Sequence, residues 1–133
     1  MTASKTCLLV PVDLSGASHS VVERAAEVAR ASGARVELLH VVTRHEALAA
    51  RDDVARRLES LSQPLRAAQI PVGVHVVSGE PVTEIVAASS RLGADSILMG
   101  ERGHGATYER MVGSVTDGVL RSRVCPVEVV PIR

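Results

Sequence analysis

Tryptophan and phenylalanine are absent from this chain, and Tyr108 is its only aromatic residue. Recognition of nucleic acid by base stacking needs aromatic platforms, so the composition argues against it. A surplus of positive charge is also missing: 15 basic residues meet 15 acidic ones. A non-specific polyanion binder carries a basic excess, so DNA, RNA and anionic membranes are not expected partners. Cysteine is scarce. Cys7 and Cys125 lie far apart with no CxxC spacing, which argues against a metal or redox motif and for reduced, buried thiols flanking strands. No apolar run is long enough to span a bilayer. Residues 1–6 lead straight into a strand-like run without signal-peptide organisation, so a cytoplasmic protein is expected.

What is present is aliphatic. Apolar residues make up 46% of the chain and are mostly Ala, Val and Leu, which suits a Val-rich parallel sheet under Ala-rich helices. A length of 133 residues fits one domain, residues 1–133. Strand-like runs fall at residues 7–12, 36–42, 72–77, 96–99 and 126–130. Between the first two, Val22, Ala25, Ala26 and Ala29 mark a helical face ending at Gly33. That helix starts from a Ser20–Glu23 capping box or from an earlier cap at Ser15 or Ser18. Val54, Leu58, Leu61, Leu65 and Ala68 predict a second helix, which Pro64 should kink or end early. A third opens at Glu80-Pro81-Val82, turns Val82, Ile85 and Val86 inward, and stops at Gly93. A fourth begins at Ser114. The alternation of strands and helices implies a parallel sheet with helices on both faces.

Ligands of such sheets bind at the carboxyl ends of the strands. Those ends are Asp13, Val41-Val42 and Met99-Gly100. After Met99 comes a glycine loop, Gly100 to Ser114, between a strand end and a helix start. Backbone N–H groups converge in such loops, and the helix dipole favours negative charge, so a nucleotide-binding domain is the leading reading. Gly100 and Gly103 let the backbone approach a phosphate closely. Ser114 either caps its helix, with Asp117 three residues on, or turns its hydroxyl to a phosphate oxygen. Asp13 either accepts from a ribose hydroxyl or reaches a metal ion, or begins a turn and caps the next helix. His104, in the loop, either touches a phosphate or is simply solvated, and His40 and His75 fall within strands as structural residues. There is no GxxxxGK[ST], no GxG after the first strand, no HExxH and no GxSxG. Lys5 is the only lysine, so lysine-based phosphoryl transfer has no candidate in the loop.

The pattern resembles the universal stress protein family over nearly the whole chain. Gly100 and Gly103, nine residues, then Gly113-Ser114 match the family's G-x2-G-x9-G-[S/T] signature without a gap. Val10-Pro11-Val12-Asp13 with Ser15 is similar to the family's first strand and Asp turn, and residues 121–130 to its last helix and strand. The resemblance implies an open five-stranded parallel sheet of order 3-2-1-4-5 in a Rossmann-like, adenine nucleotide alpha hydrolase-like fold. It implies an ATP site in which Asp13 contacts the ribose or a nucleotide-bound Mg²⁺. Val41 or Val42 would hold adenine through backbone groups, and Pro11 and Val12 would line its pocket. Met99, Gly100, Gly103, Gly113, Ser114, Val115 and Thr116 would carry phosphates and ribose. It further implies a homodimer through the last strand, with Val127, Val129 and Val130 pairing across a two-fold axis.

The implied function is that of a small ATP-binding regulator in stress response or adaptation, read by an unknown protein partner, rather than an enzyme. Two alternatives stand beside it. Glu101 sets a carboxylate in the phosphate loop, where an anion weakens phosphate binding, and this favours a dimeric interaction module without nucleotide. Arg102 and Arg110 are placed to offset that charge. A slow ATPase is the other alternative, although Asp13 is the only evident general base.

Overall fold

A computed structural model of the chain describes residues 6–43, 51–101 and 113–131. Strands and helices alternate throughout: β1 (Cys7–Pro11), α1 (Ser18–Ser32), β2 (Arg35–Val42), α2 (Arg51–Ala67), β3 (Val72–Ser78), α3 (Pro81–Leu92), β4 (Ser96–Gly100), α4 (Ser114–Ser122) and β5 (Val127–Val130). The five strands form one sheet of order β3-β2-β1-β4-β5, and every neighbouring pair is parallel. This is the order expected from the sequence.

Side-chain alternation along the strands splits the core in two. Leu8, Val10, Val36 and Leu38 point to one face and pack with Val21, Val22, Ala25 and Ala26 of α1 and Leu58, Leu61 and Leu65 of α2. Leu9, Leu39, Val41, Ile97 and Met99 point to the other, against Ile85 and Ala88 of α3 and Val119 of α4. All five residues of β1 are buried, so the central strand is apolar on both faces, as parallel strands are. Each buried Leu or Val contributes on the order of 1.5–3 kcal/mol relative to exposure. Cys7 lies in this strand as a free thiol whose pKa burial pushes up, and Cys125 is a second free thiol.

Local signals hold in some places and fail in others. α3 starts as expected, with Pro81 in its first turn and Glu80 as N-cap accepting from the Thr83 amide at 2.8 Å and the Val82 amide at 3.3 Å. The Thr83 amide, then the Thr83 hydroxyl, holds the Glu80 carboxyl below its usual pKa. Gly93 closes the helix in the left-handed region at φ 66°. The capping box does not form: α1 begins at Ser18 with Ala17 as N-cap and no side-chain cap, and Ser20 and Glu23 lie inside the helix. Asp13 takes the serine contacts upstream instead.

Pro64 is expected to kink α2 or end it early, and the helix does not end at it. The helix runs through it to Ala67, because Leu61 and Leu65 on either side are buried against the sheet. Proline removes the donor to the Ser60 carbonyl, but Ser60 is exposed. The helix then stops three residues later, with Gln69 at φ 59°.

α3 and α4 pack closely over the second core. A Cβ built on Gly118 would meet Val82 Cγ2 at 2.6 Å. Helix propensity alone favours alanine over glycine here by roughly 0.5–1 kcal/mol. Overpacking opposes it, and Val82 sits in a helix where its χ1 is stiff. Gly118→Ala is therefore expected to destabilise the protein by about 1–2 kcal/mol in urea denaturation, against its propensity. A stabilised Gly118→Ala variant would show that the two helices are free to separate.

Candidate functional site

β2 and β4 flank β1 on opposite sides, so the point where strand order reverses lies at the carboxyl ends of β1 and β4. The turn after β1 leaves from one of these ends, and the first turn of α4 is bonded to the other through Thr116 and Gly100.

Asp13 organises the turn after β1. It is exposed, and its Oδ1 accepts from the Ser15 amide at 2.9 Å and from the Ser18 hydroxyl at 3.4 Å. Of the two roles weighed for Asp13, that of a turn-forming carboxylate is thus visible in its bonds. Leu14, next to it, has φ 65°. A β-carbon makes that left-handed conformation costly. Carbonyls on both sides of Asp13 are held from neighbouring elements. His40 Nδ1 lies 2.8 Å from the Val12 carbonyl, and since a carbonyl only accepts, Nδ1 carries the proton. Arg57 Nη2 donates to the Leu14 carbonyl at 2.8 Å. A cleft of about 200 Å³ opens beside this turn, lined by Leu14, Ser15, His19, Arg57, Ser60 and Leu61. None of the site residues predicted from the sequence lines it.

On the β4 side the chain is stitched at three points. The Glu101 amide donates to the Val130 carbonyl at 2.9 Å, and the Gly113 amide donates to the Glu101 carbonyl at 2.7 Å. Thr116 is buried and its hydroxyl donates to the Gly100 carbonyl at 2.8 Å. The glycine loop thus departs at Glu101 and returns beside it at Gly113. Gly103, His104, Arg102 and Arg110 lie outside the described residues. Gly113, not Ser114, is the N-cap of α4, with φ −62° and ψ 157°, and no side chain caps the helix. Ser114 is the first helical residue and is exposed. The cap falls on Gly113 because the Gly113 carbonyl receives the Asp117 amide at 2.9 Å, closing the first turn one residue early. The amides of Ser114, Val115 and Thr116 then have no acceptor within the helix.

The predicted site residues divide by exposure. Asp13 and Ser114 are exposed, and Gly100, Gly113 and Val115 are half-buried. Pro11, Val12, Val41, Val42, Met99 and Thr116 are buried, and Val12, Val41 and Met99 pack within the core. Sequence reasoning missed Leu14 and Arg57 and assigned His40 only to a strand. The Asp13–Ser15 spacing was a signal for the turn, but nothing local marks Arg57 on the polar side of its helix.

Among the described residues no group of three His, Cys, Asp or Glu side chains is placed to hold a metal by itself, and no helix is long and apolar enough to cross a membrane.

Residues 7–131 match the universal stress protein family. The chain is 34% identical over 79 residues to universal stress protein PHOS32 of Arabidopsis thaliana, covering 56% of this chain and only 33% of that protein. It is 26% identical over 134 residues to universal stress protein A homolog 1 of Coxiella burnetii, covering 90% of this chain and 92% of that one. Among solved structures, hypothetical protein MJ0577 superposes with a TM-score of 0.86 at 25% identity, covering 98% of this chain and 99% of that one. A universal stress protein in complex with cAMP superposes at 0.79 with 23% identity, covering 98% and 100% of the two chains. One from Archaeoglobus fulgidus in complex with dAMP superposes at 0.76 with 20% identity, covering 99% and 100%.

The Thr116 hydroxyl joins α4 to the end of β4. Thr116→Val keeps the shape but leaves the Gly100 carbonyl without that donor. A loss of about 1–2 kcal/mol is expected in chemical denaturation. Unchanged stability would mean that another donor takes over.

Proposed function

Because the chain belongs to the universal stress protein family, we propose that it is a regulator that binds an adenine nucleotide, ATP with Mg²⁺, at the carboxyl ends of β1 and β4. The observation that carries this reading is the return of the glycine loop at Gly113. It holds the first turn of α4 against the end of β4, the strand next to β1 in the sheet, which supports a phosphate position there. Amides without a helical acceptor bind phosphate oxygens, and the helix dipole adds to the attraction. Ser114 and Val115 supply them, and Met99, Gly100, Gly103, Gly113 and Thr116 are the further residues proposed to carry phosphates and ribose. Asp13 takes the ribose or a nucleotide-bound Mg²⁺, for which a carboxylate oxygen is a suitable ligand. Pro11, Val12, Val41 and Val42 meet adenine through backbone rather than side chains. The solved relatives named for cAMP and dAMP complexes support an adenine nucleotide as the ligand class. Such a protein would work in the cytoplasm, where its ligand is, and would be read by a protein partner without turning ATP over at an appreciable rate.

Glu101 favours the second reading, an interaction module without nucleotide, because it adds a negative charge to the glycine loop, where an anion weakens phosphate binding. Mass spectrometry of nucleotide released from the denatured protein, followed by calorimetric titration with ATP and Mg²⁺, separates the two. Bound ATP or ADP is expected. An empty protein that also takes up no ATP would establish the second reading. Gly113→Val should weaken ATP binding by about tenfold or more, an effect of about 1.4 kcal/mol, by crowding the phosphates. The extended backbone of Gly113 accommodates valine, so the thermal midpoint should stay close to the parent's. A Gly113→Val variant that binds ATP like the parent would remove the phosphate site from α4.

We further propose a homodimer through β5, which is an edge strand of the sheet among the described residues. Val127 and Val129 are half-buried, with Val127 also packing against the protomer's second core, and Val130 is only 9% exposed and belongs to the first. Sedimentation should give a dimer for the parent and a monomer for Val129→Asp. A parent that stays monomeric at every concentration would refute this interface.

A further inference from the structure

The turn after β1 puts a leucine in the left-handed region, which glycine occupies most readily. Leu14 has φ 65°, and it is neither a helix cap nor a tip residue without contacts, since it packs partly against the α1/α2 core. Its conformation is costly on its own and persists only where surrounding groups determine it. Three contacts surround it. The Val12 carbonyl is bound by His40 of β2 at 2.8 Å. The Ser15 amide is bound by Asp13 Oδ1 at 2.9 Å. The Leu14 carbonyl itself is bound by Arg57 of α2 at 2.8 Å. The first anchors the strand side of the turn and the second is local. The third is charged, comes from 43 residues away, and acts directly on the peptide whose orientation the φ of Leu14 and the ψ that follows determine.

We propose that Arg57 is a positioning residue for the nucleotide site: by holding the Leu14 carbonyl it stabilises the left-handed turn in which Asp13 presents its carboxylate at the end of β1. This deepens the nucleotide reading and rests on it for what the turn serves, but the effect on the turn is measurable without any ligand. It also makes α2 a lever on the site. The guanidinium and His19 both border the cleft beside the turn.

The test uses three variants of the full chain: Arg57→Ala, Leu14→Gly and the double variant. Backbone carbon NMR shifts of residue 14 and the Ser15 amide shift report the turn. Calorimetric titration with ATP and Mg²⁺ reports the site. In the parent, the Leu14 shifts should be those of a left-handed residue, and in Arg57→Ala they should move towards an averaged value while those of β1 and α3 stay in place. ATP affinity should fall about tenfold in Arg57→Ala, the factor that matches the left-handed penalty on a residue with a Cβ. Glycine adopts that conformation without the penalty. In the Leu14→Gly background, removal of Arg57 should therefore change affinity less than about twofold. A general structural role for Arg57 would give the same loss in both backgrounds, and that result overturns the proposal. So does an Arg57→Ala variant with parental Leu14 shifts. A parent that binds no ATP, with Leu14 shifts still dependent on Arg57, refutes the nucleotide reading and leaves the hold on the turn established.

Discussion

Everything in this fold depends on a central strand that is apolar on both sides and must be covered without aromatic rings. β1 supplies Leu8 and Val10 to one face and Leu9 to the other, with relative exposures of 3%, 0% and 0%. Aliphatic side chains fill space in small increments, so helices have to come close. Ala25, Ala26 and Ala29 allow this on α1, and Gly118 allows it between α4 and α3. Interiors packed in this way leave little room for adjustment, and the loss of one leucine would cost about 2–5 kcal/mol. A rigid β1 in turn gives a fixed end, and the turn at Asp13 starts from that fixed point.

The carboxyl edge of the sheet is built by a different kind of interaction. Here the contacts are single hydrogen bonds between elements distant in sequence: His40 to Val12, Arg57 to Leu14, Gly113 to Glu101 and Thr116 to Gly100. Each contributes about 1 kcal/mol net, far less than the core beneath it. The edge is therefore the part of the molecule where a bound ligand can compete with internal contacts. Surface ion pairs such as Arg24–Glu128 add little, since both partners are largely exposed.

Most of the architecture was legible because periodicity and punctuation agree. Val-rich runs, the Glu80-Pro81 start and the stops at Gly33 and Gly93 each have a local cause, and each appears where expected. The departures arise where burial or a hydrogen bond outweighs the preference of a single residue. Burial of Leu61 and Leu65 carries α2 through Pro64. The bond from Asp117 to the Gly113 carbonyl moves the cap off Ser114. At the candidate site, Asp13 and the glycine signature could be read directly, but the burial of Pro11, Val12, Val41 and Met99 could not. Arg57 and the backbone of Leu14 were beyond reach. A helix-surface arginine has no spacing signal, and leucine is the wrong residue to suggest a left-handed turn.

The closure of the glycine loop has a consequence for how the start of α4 is held. The Glu101 amide is bonded to the Val130 carbonyl and the Glu101 carbonyl to the Gly113 amide, so a single residue ties the end of β5 to the first turn of α4. Thr116 adds a tie to the end of β4. A change in the pairing of the outer strand is therefore felt first at the amides that open α4, without passing through either half of the core.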